Sequence, residues 1–263
     1  MMMKLSWIAT SAIACMLALA LEVIAFAGWF RPRLPSVAPS VQALQVQAPA
    51  GAPAPTTAAT SLPGRSEDGY YAQLRTKIRW VETRIGTDKL LTPDDSSRVL
   101  LAKSAAERAR LQDVGLSFKD VYGIINAETS WIPRTGASKD GTPNLGLAQF
   151  EPATARALGL RNPNDPVEAI HVAALHMKEA AEWSANRIAG LNLGDGERAL
   201  KLREGVSIFY NLSTKGRNRW NGKNTAKLPI ETQLHIRNAR TGAQFAADLE
   251  ARQIPSGFML TGG

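Results

Sequence analysis

Apolar positions along the chain follow three successive patterns. From Leu5 to Phe30 they run almost without interruption, Glu22 being the exception. From Pro32 to Arg65, Pro, Ala, Ser, Thr and Gly dominate and no period emerges. From about Glu67 onward, apolar residues recur at every third or fourth place, the spacing of an amphipathic helix. The third pattern predicts a mainly α domain over residues 67–263.

Within that domain the helices have legible ends. Tyr71, Leu74, Ile78, Val81 and Ile85 form one apolar face, which Gly86 is expected to end. Thr92-Pro93 reads as a cap and first-turn proline opening a second helix to about Leu111, with Gly115 beyond. Ser117 caps a third helix. Asp120 completes a capping box, and Leu116 can staple onto Val121. Pro152 opens a short helix that stops at Gly159. Asp165-Pro166-Val167-Glu168 starts a long one through Ile170, Ala174, Met177 and Ala181, ending near Gly190. Another spans about Glu197 to Asn211. Pro229 opens one more, and Ala243 to Glu250 forms a last, separate helix. Gly136 to Leu145 reads as a small hairpin or an irregular loop. Elsewhere the sequence predicts no strands and no internal repeat.

The first two patterns carry no core. Residues 1–30 read as a signal peptide or a membrane anchor: the run exceeds the roughly 20 residues that span a bilayer, and Ala25-Phe26-Ala27 has the small-x-small form of a cleavage site. Residues 31–66 hold about half of the 15 prolines and read as a disordered linker. The expectation is export to the periplasm or cell envelope. The only cysteine, Cys15, lies in the apolar run, so the domain has neither a disulfide nor a thiolate metal site. The net charge of +8 favours an anionic surface or polymer without naming one.

One carboxylate stands out against this background. Val121, Ile124 and Ile125 form the stripe of the third helix, and Glu128 continues it three and four residues on. Desolvation favours the protonated form of a carboxyl group, the state a general acid needs. A solvated glutamate at a helix end is the plainer alternative.

The segments that follow Glu128 bear on that choice. "NAETSW" (126–131) is followed by "NLGLAQFEPATARALGL", then "FYNL", then "LPIETQLHI". Their order, residue types and spacing, over roughly Leu116 to Arg240, resemble the soluble lytic transglycosylases, which have a lysozyme-like catalytic domain. That family shows Glu-Ser at a helix end, a Ser, Gly-Leu-Met-Gln, Pro-x-Thr-Ala, Ala-Tyr-Asn and a closing Glu-Thr-x-x-Tyr-Val. By this resemblance Glu128 matches the catalytic acid and base. Thr129 stands for the Ser beside it, and Ser138 matches the Ser before the Gly-Leu-Met-Gln motif, with two extra residues between. Gly146, Leu147 and Gln149 match that motif, Ala148 replacing its Met. Tyr210 and Asn211 match Ala-Tyr-Asn, Phe209 replacing the Ala. His235 stands where the closing Tyr helps position substrate, and its charge varies with pH.

The resemblance implies peptidoglycan glycan strands as substrate and a reaction with one carboxyl group and no cofactor or metal. Glu128 protonates the oxygen between N-acetylmuramic acid (MurNAc) and N-acetylglucosamine (GlcNAc), the muramic N-acetyl group assists, and Glu128 then takes the C6 hydroxyl proton to give a 1,6-anhydro end. A hydrolase needs a second carboxylate flanking the bond. The nearest, Asp140 and Glu151, read as a loop acid before Gly141 and a helix start before Pro152.

Other features carry less. His171 and His176 are five apart, not the i, i+4 of a helical metal pair. Tyr210 is read either as core or as part of the groove. The loop with Lys215, Arg217, Arg219, Lys223 and Lys227 is read either as solvated or as an edge meeting the wall, with Trp220 stacking on a sugar. Two further readings stand beside the enzyme. One is an inactive wall-binding component of an envelope-spanning secretion or conjugation complex, motivated by Ala148 and His235. The other is a nucleic-acid-binding protein, which rests on charge alone and which the export signal argues against.

Overall fold

The computed structural model describes residues 66–138 and 140–253. The expected apolar segment at 5–30 and the linker up to residue 65 lie outside the described residues. The described domain is mainly helical, as its periodicity predicts. Among the described residues no helix is long and apolar enough to cross a membrane.

The first helix, α1 (Ser66–Thr76), is shorter than expected. The predicted face through Val81 and Ile85 breaks into an antiparallel hairpin, β1 (Trp80–Ile85) with β2 (Asp88–Pro93). Val81, Thr83 and Ile85 are β-branched and alternate with polar residues, which suits a pleated strand. Their three-and-four spacing from Tyr71 is a coincidence of the two periods. Gly86, at φ 60°, serves the two-residue turn rather than a helix end. Thr92 and Pro93 correspondingly close a strand. The cap of α2 (Asp95–Arg108) is Asp94, which accepts from the Ser97 N–H at 2.8 Å. This helix stops at Arg108, and a 3₁₀ turn at Leu111–Val114 leads to Gly115.

The helix α3 (Phe118–Thr129) carries the expected capping box between Ser117 and Asp120. Its stripe of Val121, Tyr122, Ile124 and Ile125 is buried. Past it, β3 (Gly136–Ala137) and β4 (Pro143–Asn144) make the small hairpin. The short α4 (Pro152–Ala157) follows. Asp165 caps α5 (Pro166–Ile188) with Pro166 at its first turn, both as predicted. Ile170, Val172, Ala173, Ala174, Met177 and Ala181 are all buried, so α5 is apolar on several faces, the mark of a helix inside the core. It packs against α2, α3 and α6 (Asp195–Asn211). A single turn, α7 (Thr214–Arg217), and a 3₁₀ turn lead to α8 (Ile230–Gln253).

The two helices expected after Pro229 are one continuous helix, and Gly242 does not break it. It allows contact instead. A Cβ on Gly242 would lie 2.6 Å from the Asn126 Cβ, and one on Gly123 would lie 2.3 Å from the Ala239 carbonyl oxygen. These two glycines let α3 and α8 approach backbone to backbone, and that contact carries the terminus of α3 to the side chains of α8. Trp220 is also placed differently from the expectation. It is fully buried, stacked on Trp183 at 5.7 Å, with its Nε1–H donating to Thr225 Oγ1. It fills a second core with Ile188, Ile208 and Leu228 and offers no face to a sugar.

Candidate active site

Glu128 lies in the last turn of α3, where the backbone turns sharply. Ser130 and Trp131 have φ of 54° and 65°, two successive left-handed residues that are not glycine. Their conformation is held from several sides. The Ser130 N–H donates to the Asn126 carbonyl, the Trp131 indole is fully buried and donates to the Tyr122 carbonyl, and the Trp131 carbonyl accepts from Thr92 Oγ1 at 2.6 Å. Backbone held this way marks places where a fold fixes a site.

The Glu128 side chain retains 15% of its exposure. Its Oε1 lies 2.8 Å from Nε2 of His235, which reaches it from the second turn of α8 and is itself only 6% exposed. The opposite ring nitrogen, Nδ1, is buried with no hydrogen-bond partner among the described residues. Tyr210, at the end of α6, is half-buried against Phe150 and His176, with ring centroids at 5.9 and 5.4 Å, and its hydroxyl donates to the Ala148 carbonyl. Burial pushes its phenol well above the ordinary value, and the negative charge of Glu128 adds to the effect, so the group stays a donor.

The segment 146–149 closes a second side. Gly146 has φ 69°, and a Cβ there would collide with the Pro163 carbonyl oxygen, so glycine is required twice over. Gln149, also left-handed at φ 52°, donates through Nε2 to the carbonyls of Gly146 at 2.8 Å and Arg134 at 2.9 Å. Thr129 is fully buried, its hydroxyl donating to the Leu147 carbonyl at 3.0 Å and bonded also to the Ile125 carbonyl. Thr129, expected at the substrate, faces inward here and ties the loop to α3. The same holds for Leu147 and Gly146, which are buried and shape the loop from behind.

The other expected residues divide. Asn211 is exposed next to Tyr210 and accepts from Thr232 Oγ1 at 2.7 Å, linking α6 to α8. Ser138 bonds Glu151 at 2.5 Å and Asn144 at 3.3 Å, bracing the small hairpin. Glu151 takes the N-cap position of α4, and Asp140 accepts from the Thr142 N–H, which holds its carboxyl below the usual range. Both acids thus keep the structural roles read from their neighbours. His171 is buried and bonded to Ser104, and His176 sits among aromatic rings with Glu179 at 3.2 Å. Among the described residues no cluster of ligands could hold a metal ion. Sequence reasoning missed Arg134, whose Nη2 donates to the Glu128 carbonyl at 3.2 Å while its own carbonyl receives Gln149. It also missed Gly123 and Gly242, which carry no motif but set the α3–α8 distance.

No protein-family model matches the chain, and no solved structure matches it. Over 59 residues the chain is 39% identical to a protein of Enterobacteria phage PRD1 named "Transglycosylase". The match takes in 22% of this chain and 21% of the phage protein. This short likeness supports a relationship to transglycosylases at the level of that name.

Proposed function

We propose that the domain is a peptidoglycan lytic transglycosylase with Glu128 as both acid and base. One arrangement carries the reading: a single, largely buried carboxylate at a held helix terminus, hydrogen-bonded by a buried histidine, where α3, the 146–149 loop, α6 and α8 converge. These are the segments that resemble the soluble lytic transglycosylases with their lysozyme-like domain, and the likeness to the phage transglycosylase points the same way.

Glu128 gives its proton to the glycosidic oxygen between MurNAc and GlcNAc as the bond to C1 breaks. The muramic N-acetyl oxygen closes on C1. The carboxylate then accepts the C6 hydroxyl proton, O6 bonds to C1, and a 1,6-anhydro end forms without water. Asp140 and Glu151 are engaged in their own loops, so the reading assigns no second acid to the bond. The reading gives Tyr210, Asn211 and Gln149 contacts to the substrate. The apolar run at 5–30 and the Pro-rich linker add an exported domain able to reach the wall.

The test incubates the full chain and its Glu128→Gln variant with purified peptidoglycan and weighs the released muropeptides. Anhydro ends from the wild type alone are expected. Ordinary reducing ends would mean a hydrolase. Binding without release from either protein would mean a wall-binding module.

A further inference from the structure

We propose that His235 is a positioning residue that assigns separate tasks to the two oxygens of Glu128, holding Oε1 as an acceptor so that Oε2 carries the reacting proton. The proposal rests on the reading of Glu128 as acid and base. It starts from two facts about one ring: Nε2 is 2.8 Å from Oε1, and Nδ1 is buried without a partner among the described residues.

Between a neutral imidazole and the protonated carboxyl of a general acid, a 2.8 Å contact has two arrangements. In one, the carboxyl O–H donates to Nε2. The acidic proton then points at the histidine, away from any substrate, and the ring proton sits on Nδ1 as a buried donor without an acceptor. Orphaned buried N–H groups are rare because they cost free energy. In the other, Nε2–H donates to Oε1 and Nδ1 keeps only a lone pair. This second arrangement leaves Oε2 free to bear the proton. It also holds the carboxyl group in place, since the His235 ring is itself buried.

The consequence appears along the reaction. When the Oε2–H bond breaks and the proton goes to the glycosidic oxygen, Glu128 becomes an anion. The Nε2–H···Oε1 bond is then charge-assisted and stronger than in the ground state. An interaction that strengthens as charge develops accelerates the step. In the second half Oε2 takes the C6 hydroxyl proton, O6 bonds to C1 and the N-acetyl oxygen leaves. Glu128 ends protonated on Oε2, with the proton balance closed. Among the described residues no other side chain bonds the Glu128 carboxyl group: the Arg134 guanidinium meets the Glu128 backbone carbonyl, and the Tyr210 hydroxyl meets the Ala148 carbonyl.

The experiment uses the full chain as wild type, Glu128→Gln, His235→Phe and His235→Gln. Anhydro-muropeptide release gives kcat and KM, and nitrogen-15 spectra of the histidine rings give the tautomer. Phe fills the site without disturbing any partner of Nδ1, and thermal melts check the fold. His235→Phe is expected to lower kcat by about 10–100-fold, the cost of one hydrogen bond to a charged group, with KM within about twofold. His235→Gln, which keeps an N–H donor, should recover most of the loss. The wild-type ring should carry its proton on Nε2, with a resonance that moves in Glu128→Gln. Wild-type kcat in His235→Phe, or a ring protonated on Nδ1, would overturn the proposal and leave the role of Glu128 standing. Release that survives Glu128→Gln would overturn the underlying reading and the proposal with it.

Discussion

Gly123→Ala is a substitution whose sign the structure decides. On an isolated helix Ala is favoured over Gly by about 1 kcal/mol, and α3 is otherwise well capped. Position 123 faces α8, however, and the new Cβ would lie 2.3 Å from the Ala239 carbonyl oxygen and 3.2 Å from the Ala243 nitrogen. Both are backbone atoms, so no rotamer change relieves the clash. Ordinary contact requires the two helices to separate by at least about 1 Å. Overpacking of this kind costs roughly 1–3 kcal/mol, which outweighs the gain in propensity. The same separation pulls His235 from Glu128, whose 2.8 Å bond has no slack. We expect the urea midpoint to fall at constant slope, by a net ~1–2 kcal/mol, and muropeptide release to fall further than stability alone explains. Gly242→Ala meets the Asn126 side chain instead, which can turn aside, so its loss should be smaller. An alanine at 123 that raised the midpoint and kept activity would refute the close-approach argument.

Two further outcomes follow from buried hydrogen bonds. Thr129→Val keeps the volume but strands the Leu147 carbonyl; about 1–3 kcal/mol should be lost in urea unfolding, with activity lowered as the 146–149 loop loosens. His171 is held at a pKa of about 3, against an ordinary 6.5, first by burial and then by Arg108. The folded state therefore binds fewer protons than the unfolded one between those values, so this contribution is complete above about pH 6.5 and is lost as pH falls towards 3. Between pH 7 and 5 the wild type should lose roughly 2 kcal/mol more than His171→Gln in paired urea melts; equal losses would remove His171 as the cause.

Much of the helical framework was legible because its signals are local. The capping box at Ser117 and Asp120, the Asp165-Pro166 start and the stripe through Val121 and Ile125 each need only a few neighbouring residues, and each stands where it was read. The β1–β2 hairpin was not legible. Val81 and Ile85 satisfy the helical and the alternating period together, and only the pairing with β2 selects one. Trp220 shows the same limit: nothing in its basic loop announces that Trp183, a residue of another helix, will cover it.

By itself the sequence determined the order of the candidate residues and placed Glu128 at the end of an apolar helix, because residue type and local spacing are properties of the chain. Tertiary structure decided where each of them sits and what it touches. It turned Thr129, Gly146 and Leu147 inward as supports, and it used two unremarked glycines to bring α8 against α3. It set His235 on Glu128 across 107 positions of sequence. A hydrogen bond depends on distances of a few tenths of an ångström, and those are fixed only when helices far apart in the chain have packed.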